Sequence, residues 1–358
     1  MFAFSPDPDF SRLRKAILRQ GEPDRVPFYE LFADTEIVLE VIKHDEWVDP
    51  AYRKQVQAVD SRLVRYYYML GYDYVPTFAL ISFPRDNYLT ADDTAGLSRG
   101  QRAWHDEHHG AIRTREDFDR YPWPSATIDY SNFERLESKL VDGMKIVGMT
   151  SGVLENATWL TGYETLSTLL YEDPALVSDL FRRVGETLVS VHEKMAQMDC
   201  IGAAAMGDDM GFKTATMISP KHLREYVFPW QNKIVDAVHA RGKPFILHSC
   251  GNLKAVMDDL INYVRIDARH SFEDQIMPVT EAKKLYGSRV SLLGGVDMDF
   301  LCRSTPEAVR KYVRRVLEEC TPGGYCLGTS NSVANYINLE NYLTMLDEGL
   351  KYRYGARR

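Results

Sequence analysis

The sequence lacks the features that would place the protein in a membrane or on a nucleic acid. Its 358 residues contain no signal peptide and no apolar run of about 18 residues, the least that a transmembrane helix needs. The net charge of −8 leaves no basic surplus, which nucleic acids and anionic membranes both require of a partner. We therefore expect a cytoplasmic protein that binds neither.

Cysteine is also scarce, and its positions do not suggest a disulfide framework. The scattered cysteines are Cys200, Cys250, Cys302, Cys320 and Cys326. No low-complexity tract interrupts the chain, and 45% of its residues are hydrophobic, which is ample for a core.

A Gly-x-Gly-x-x-Gly motif is missing after every candidate strand, which disfavours a dinucleotide-binding open sheet. The chain instead alternates strands with helices, a pattern typical of parallel βαβ units. Strands are predicted at residues 25–32, 72–80, 145–150, 201–206, 245–248, 265–268, 290–293 and 325–328. We predict one α/β domain over residues 1–358, a (β/α)8 TIM-type barrel with an N-terminal helical segment. The polar stretch 82–124 is too long for a plain loop and predicts a hairpin-like insertion.

The most informative segment is the apolar run that ends in His248 and is followed by Cys250. In a strand, residues i and i+2 face the same side, and imidazole nitrogen and thiolate sulfur are preferred ligands of zinc. The pair is therefore a candidate half of a metal site. The alternative is a packed histidine beside a buried free thiol, and these residues alone leave both open.

Polar residues at the ends of the predicted strands are the candidate site, because barrel chemistry lies at that face. They include Glu30, Asp34, Asp208, Asp209 and Asn331. The adjacent carboxylates of Asp208 and Asp209 repel each other unless a cation, a proton or a hydrogen-bond donor separates them. The sequence WHDEHH at residues 104–109 has metal-like spacing, but its polar surroundings favour a charged loop.

Several segments in order resemble the uroporphyrinogen decarboxylase superfamily over nearly the whole chain. They lie at residues 219–230, 248–252, 293–297 and 323–331, followed by 339–341. The resemblance implies the same barrel that the strand and helix pattern predicts.

The superfamily holds two chemistries, and the loop after the first strand disfavours one of them. True uroporphyrinogen decarboxylases carry an Arg-Gln-Ala-Gly-Arg loop there, whereas residues 28–34 read FYELFAD. If Glu30 and Asp34 face the pocket, they repel a polyanionic substrate. The family's catalytic aspartate after the second strand also has no clear match in TFAL at residues 77–80.

The other branch comprises zinc-dependent methyltransferases that work with corrinoid proteins, and its His-x-Cys motif is matched by His248 and Cys250. Its second cysteine corresponds to Asn331, with Cys326 five residues earlier. The resemblance leaves the remaining metal ligand open among Asp208, Asp209, Glu155 and Cys326.

The resemblance thus implies transfer of a methyl group between a small substrate, such as a methoxylated aromatic compound or a thiol, and a corrinoid (cobalamin) on a partner protein. Zinc would act as the Lewis acid. We expect catalytic roles for Asp208, Asp209 and Glu30. The residues expected to bind substrate are Tyr29, Asp34, Tyr74, Phe78, Asn331 and also Trp159. A decarboxylase without metal and a non-catalytic binding barrel remain alternatives, and a homodimer stays open.

Overall fold

The computed structural model describes residues 2–85, 88–106, 108, 110–124 and 128–354. In chain order its strands are β1 Tyr74–Phe78, β2 Tyr88–Asp92, β3 Gln101–His105, β4 Lys145–Ser151, β5 Ile201–Gly207, β6 Phe245–His248, β7 Ala268–His270, β8 Ser291–Leu293 and β9 Tyr325–Cys326. Within these ranges, seven strands form one parallel sheet in the order β1-β4-β5-β6-β7-β8-β9. The antiparallel pair β2-β3 stands apart from it.

Helices connect the strands and cover the sheet. They are α1 Phe10–Ile17, α2 Thr35–Val41, α3 Arg53–Ala58, α4 Arg62–Met69, α5 Arg115–Arg120, α6 Ser131–Glu137, α7 Val153–Thr161, α8 Tyr163–Glu172, α9 Pro174–Gln197, α10 Pro220–His222, α11 Phe228–His239, α12 Met257–Asp259, α13 Val279–Tyr286, α14 Met298–Arg303, α15 Pro306–Cys320 and α16 Leu339–Lys351. Short 3₁₀ turns lie at Asp45–Trp47 and Lys254–Val256, and π-helical turns at Leu223–Val227 and Leu260–Val264. In the part of the chain that is described, no helix is long and apolar enough to span a bilayer.

The segment around Phe28 takes the place of the first barrel strand. Phe28 forms a parallel bridge with Leu327 after β9, and the amide of Tyr29 donates to the Leu327 carbonyl at 2.8 Å. On its other side the hydroxyl of Tyr74, in β1, accepts from the amide of Glu30 at 2.8 Å. The parallel sheet therefore curls into a TIM-type barrel, as the sequence predicts.

The insertion is a hairpin, as predicted, with Leu89 of β2 opposite Trp104 of β3. Two element predictions are wrong. The pattern of residues 51–70 predicts one long helix, but the chain forms α3 and α4 there, because the backbone is extended at Val59 and Ser61 caps a new helix by accepting from the Val64 amide. The strand expected at residues 265–268 begins only at Ala268, because Arg265 has a left-handed backbone with φ 67°.

Candidate metal centre

Three donor side chains meet where β5 and β6 end. Gly207, the last residue of β5, lies in register with His248, the last residue of β6, so the loops that follow them leave the sheet side by side. His248 Nε2 lies 3.5 Å from Cys250 Sγ and 3.6 Å from Asp209 Oδ1. The ligand atoms of Asp209, His248 and Cys250 all lie within 4.8 Å of one another, which is close enough to surround one ion.

The two loops touch backbone to backbone. Gly251 has φ +80°, and a Cβ added to it would lie 2.2 Å from the carbonyl carbon of Gly211. The Asp209 carboxylate also accepts from the Cys250 amide at 2.7 Å. Because only glycine fits this conformation and this approach, the backbone fixes the separation of Asp209 from Cys250.

Burial keeps both histidines of the site neutral. It lowers the pKa of His248 to about 3, and it also holds the pKa of His270 well below its usual value. His248 Nδ1 lies 2.7 Å from His270 Nδ1, so Nε2 is the nitrogen that faces Cys250 and Asp209. A neutral imidazole is the form that binds a metal.

Cys250 is surrounded by groups that respond to its charge. Burial raises the pKa of its thiol, and the negative Asp209 raises it further, so a metal ion must displace the proton when it binds. The side-chain nitrogen of Asn331 lies 3.3 Å from Cys250 Sγ, and the hydroxyl of Ser271 lies 3.5 Å from it. Both groups donate to the sulfur and stabilise its thiolate.

This donor set fits zinc, which takes sulfur, nitrogen and carboxylate oxygen and leaves an open position in catalytic sites with three protein ligands. Among the described residues, the group that can hold an ion consists of Asp209, His248 and Cys250. Cys326, Glu155 and Asp208 are not part of it. Asn331, which the resemblance matches to a second cysteine, contacts the sulfur through its side-chain nitrogen.

Asp208 faces away from this group. Its side chain is fully buried, and it accepts from the amides of Val153 and Glu155 at 3.0 Å each and from Gln231 at 2.8 Å. A Cβ on Gly152 would lie 2.1 Å from the Asp208 side chain. The carboxylate therefore binds the amino end of α7, where the helix dipole favours an anion. These contacts give Asp208 a structural role, and its expected catalytic role stays a prediction.

A cavity of about 390 Å³ opens beside Asp209, His248 and Cys250, called the metal group below. Its volume is within the range of small-molecule sites. Its lining residues are Trp104, Asp106, Leu154, Glu155, Thr158, Trp159, Tyr163, Asp209 and Met217. Asp209 belongs to both the cavity and the metal group, so a ligand in the cavity lies next to an ion held there.

The cavity is acidic and aromatic. Burial raises the pKa of Glu155 well above its usual value, and the charges of Asp209 and Asp208 raise it further. Burial also raises the pKa of Asp209. None of the described residues that line the cavity is lysine, arginine or histidine. This environment disfavours a polyanionic ligand.

Glu30 and Asp34 do not present unpaired carboxylates at the barrel mouth. Glu30 is fully buried, and its oxygens accept from the amide of Thr329 at 3.0 and 3.1 Å and from the Thr329 hydroxyl. Asp34 pairs with Arg99 at 2.5 Å and accepts from the Asn335 amide at 2.9 Å. The expected repulsion of a polyanion by these two residues is therefore not supported.

The burial of Glu30 predicts a pH effect on stability, because burial raises its pKa from 4.5 to about 8. A carboxyl group with a raised folded-state pKa stabilises the fold fully below its unfolded pKa, and this contribution is lost as the pH rises through the folded pKa. We expect the free energy of unfolding of the wild type to fall more than that of Glu30→Gln as the pH rises from 4.5 to about 8. The difference should be a few kcal/mol, since each unit of pKa shift is worth about 1.4 kcal/mol. Denaturant unfolding at about pH 5 and about pH 9 measures the difference. Equal falls in the two proteins would contradict it.

The aromatic residues expected to bind substrate divide between core and cavity. Tyr29 and Tyr74 are fully buried and stack with ring centroids 5.6 Å apart, so they belong to the core rather than to the cavity wall. Phe78, at the end of β1, is 37% exposed and packs against Phe32. Trp159 lines the cavity.

Sequence reasoning assigned no role to two features of the site. His270 ends the strand that follows β6, but its contact with His248 depends on the register of β6 and β7, which local sequence does not encode. Trp104 and Asp106 line the cavity, although the stretch that contains them was interpreted only as a charged loop. Glu107 and His109 of that stretch lie outside the described residues.

Comparison with known proteins assigns the family. The family model described as "Uroporphyrinogen decarboxylase (URO-D)" matches residues 108–352, so the chain belongs to the uroporphyrinogen decarboxylase family. It is 25% identical over 251 residues to a uroporphyrinogen decarboxylase of Anaeromyxobacter dehalogenans, an alignment that covers 66% of this chain and 68% of that one.

Similarity to a methyltransferase appears as well. The chain is 27% identical over 129 residues to the methylated-thiol–coenzyme M methyltransferase of Methanosarcina mazei, covering 36% of this chain and 32% of its relative. A solved methyltransferase from Methanosarcina mazei superimposes with a TM-score of 0.68 at 17% identity, over 95% of this chain and 98% of the other. At that identity the likeness is one of fold. The relatives are therefore enzymes of one superfamily that includes a methyltransferase.

Proposed function

We propose that this protein is a methyltransferase that moves a methyl group between a small uncharged substrate, such as a methoxylated aromatic compound or a thiol, and a corrinoid carried on a partner protein. The observation that carries the proposal is the meeting of Asp209, His248 and Cys250 within 4.8 Å, beside a cavity that shares Asp209. Zinc is the ion that this donor set fits.

Zinc bound there supplies Lewis acidity toward the substrate's oxygen or sulfur, which makes that atom a better leaving group. In the net reaction the bond from methyl to that atom would break with its electron pair kept on the atom, and the methyl group would pass to the reduced corrinoid of the partner protein as the acceptor. The charges of Asp209 and the Cys250 thiolate offset those of a divalent cation, so the occupied site is close to neutral. A substrate that enters with no charge therefore meets little electrostatic barrier.

The cavity wall orients the substrate. Trp104, Trp159 and Tyr163 give it aromatic faces, on which a flat ring stacks at a favourable offset. Tyr163 is held by its hydroxyl, which donates to the carbonyl of Met217 at 2.5 Å. A fixed wall holds the oxygen or sulfur of the substrate toward the metal group and leaves its methyl group available for transfer.

The face around the cavity has the character of a docking surface for the corrinoid protein. Large apolar side chains lie exposed on the loops and the hairpin at this end of the barrel: Phe78 at 37%, Leu80 at 56%, Trp104 at 46%, Phe212 at 65% and Tyr336 at 52%. Exposed apolar groups that surround a polar centre are typical of an interface with another protein.

Decarboxylation is the second candidate, because the family model and the relatives from Anaeromyxobacter carry that name. Its substrate is a tetrapyrrole with many carboxylates. The acidic cavity, with no cation among its described lining residues, opposes such a ligand.

One pair of measurements on the purified protein separates the candidates. We expect close to stoichiometric zinc by elemental analysis, and transfer of methyl from a methoxylated aromatic compound or to a thiol in the presence of free cobalamin, followed by the visible spectrum of the corrinoid. Carbon dioxide release from uroporphyrinogen by protein free of zinc would favour the decarboxylase instead. The absence of both activities would leave a binding barrel.

A further inference from the structure

Three buried residues, His270, Thr329 and Glu30, are linked by hydrogen bonds to one another and, through His270, to His248 of the metal group. We propose that they form a positioning chain that holds His248 in the tautomer and ring orientation that bind a metal. The inference rests on the proposed function, because it concerns the same metal site.

The positioning chain begins at Thr329, whose backbone is held by hydrogen bonds. Its amide donates to both oxygens of Glu30, at 3.0 and 3.1 Å, and its carbonyl oxygen accepts from the amide of Gly295 at 3.1 Å. A Cβ on Gly294 would lie 2.2 Å from that carbonyl oxygen. The carbonyl is thus held in one place by contacts on both sides.

The direction of each hydrogen bond follows from that carbonyl. His270 Nε2 lies 3.1 Å from the Thr329 oxygen, and a carbonyl only accepts, so Nε2 carries the proton. In a neutral imidazole the other nitrogen is then an acceptor. The two Nδ1 atoms are 2.7 Å apart and share a single proton, which therefore belongs to His248 Nδ1. The lone pair of His248 consequently lies on Nε2, the nitrogen that faces the sulfur and the carboxylate.

The ring of His270 is also fixed laterally. It lies in register with His248 on the neighbouring strand, and the ring of Tyr29 meets it edge-on at a centroid distance of 5.2 Å. The other fully buried histidine of the described residues, His192, contrasts with it. His192 contacts the Thr150 hydroxyl at 2.9 Å, and its Nδ1 has no partner among the described residues. It is a packed histidine and serves as the matched control.

The test is titration of the metal-free protein with Co²⁺, whose visible spectrum reports on thiolate and imidazole ligands. We expect His270→Phe, which keeps a ring but removes the acceptor, to weaken Co²⁺ binding about 10–100-fold, as loss of such an outer partner does, and to change the spectrum. His270→Asn places an oxygen near the former Nδ1 and should recover most of the affinity. His192→Phe should bind as the wild type does.

Two results would overturn the proposed positioning chain. One is wild-type affinity and spectrum in His270→Phe. The other comes from nitrogen-15 NMR of the histidine rings in the wild-type protein. A proton on Nε2 of His248, rather than on Nδ1, would contradict the proposal. The NMR measurement stands even if the phenylalanine variant does not fold. Failure of the wild type to bind Co²⁺ would instead overturn the proposed function.

Discussion

Replacement of Cys250 by alanine should abolish metal retention and methyl transfer while the barrel stays folded. Its sulfur is the thiolate donor of the group and lies 3.5 Å from His248 Nε2, and Cys250 lies outside the cluster of buried core residues. A four-ligand zinc site contributes about 10–16 kcal/mol, so the loss of one ligand should cost roughly 2.5–4 kcal/mol, which is about 60- to 700-fold in affinity. Titration with Zn²⁺ or Co²⁺ and the methyl transfer assay measure the two effects.

Cys302 provides the matched control for this variant. It is also partly exposed, but it lies on α14, where its sulfur contacts the Tyr336 carbonyl at 3.9 Å. Cys302→Ala should retain both metal and activity. Full turnover by Cys250→Ala would show that the zinc mechanism is wrong.

The second large effect is expected from Gly251→Ala. The new Cβ would lie 2.2 Å from the backbone of Gly211, so the loops that carry Asp209 and Cys250 must move apart. Strain in the left-handed backbone adds about 1 kcal/mol. We expect metal affinity to fall more than tenfold and the free energy of unfolding to fall by a few kcal/mol.

Gly242→Ala separates the effect of backbone strain from the effect of the collision between the two loops. Gly242 has φ +67° but nothing within 4 Å of an added Cβ, so it carries the backbone strain without the collision. Its variant should lose only about 1 kcal/mol of stability and no metal affinity, measured by thermal unfolding and Co²⁺ titration. If the two variants behave alike, contact between the loops does not set the distance between the ligands.

The barrel is predictable from sequence because each βα unit carries its own periodic pattern. The strand Phe245–His248 has the predicted bounds, and two-residue spacing in an extended chain is a local property. The pairing of His248 with His270 is not local, because it depends on the register of neighbouring strands. A left-handed residue, Arg265, also shifted the start of β7 past its predicted position.

The carboxylates show a second limit of the sequence. Asp208 and Asp209 are adjacent and chemically identical, yet one binds the amino end of α7 and the other faces the metal group. Which of the two carboxylates faces the metal group depends on the position of α7 and on Gly152, which leaves room for the Asp208 side chain. Neither can be inferred from two adjacent aspartates in the sequence. Glu30 is similar, since only its contact with Thr329, far along the chain, shows that it is enclosed.

The hairpin has a consequence for how this family diversifies. Trp104 comes from β3, outside the parallel sheet, whereas the metal donors come from the ends of β5 and β6. The proposed metal donors and part of the cavity wall are therefore encoded in separate stretches of the sequence. On the proposed function, exchange of the hairpin between homologues should change which compounds enter the cavity while the proposed metal donors stay in place.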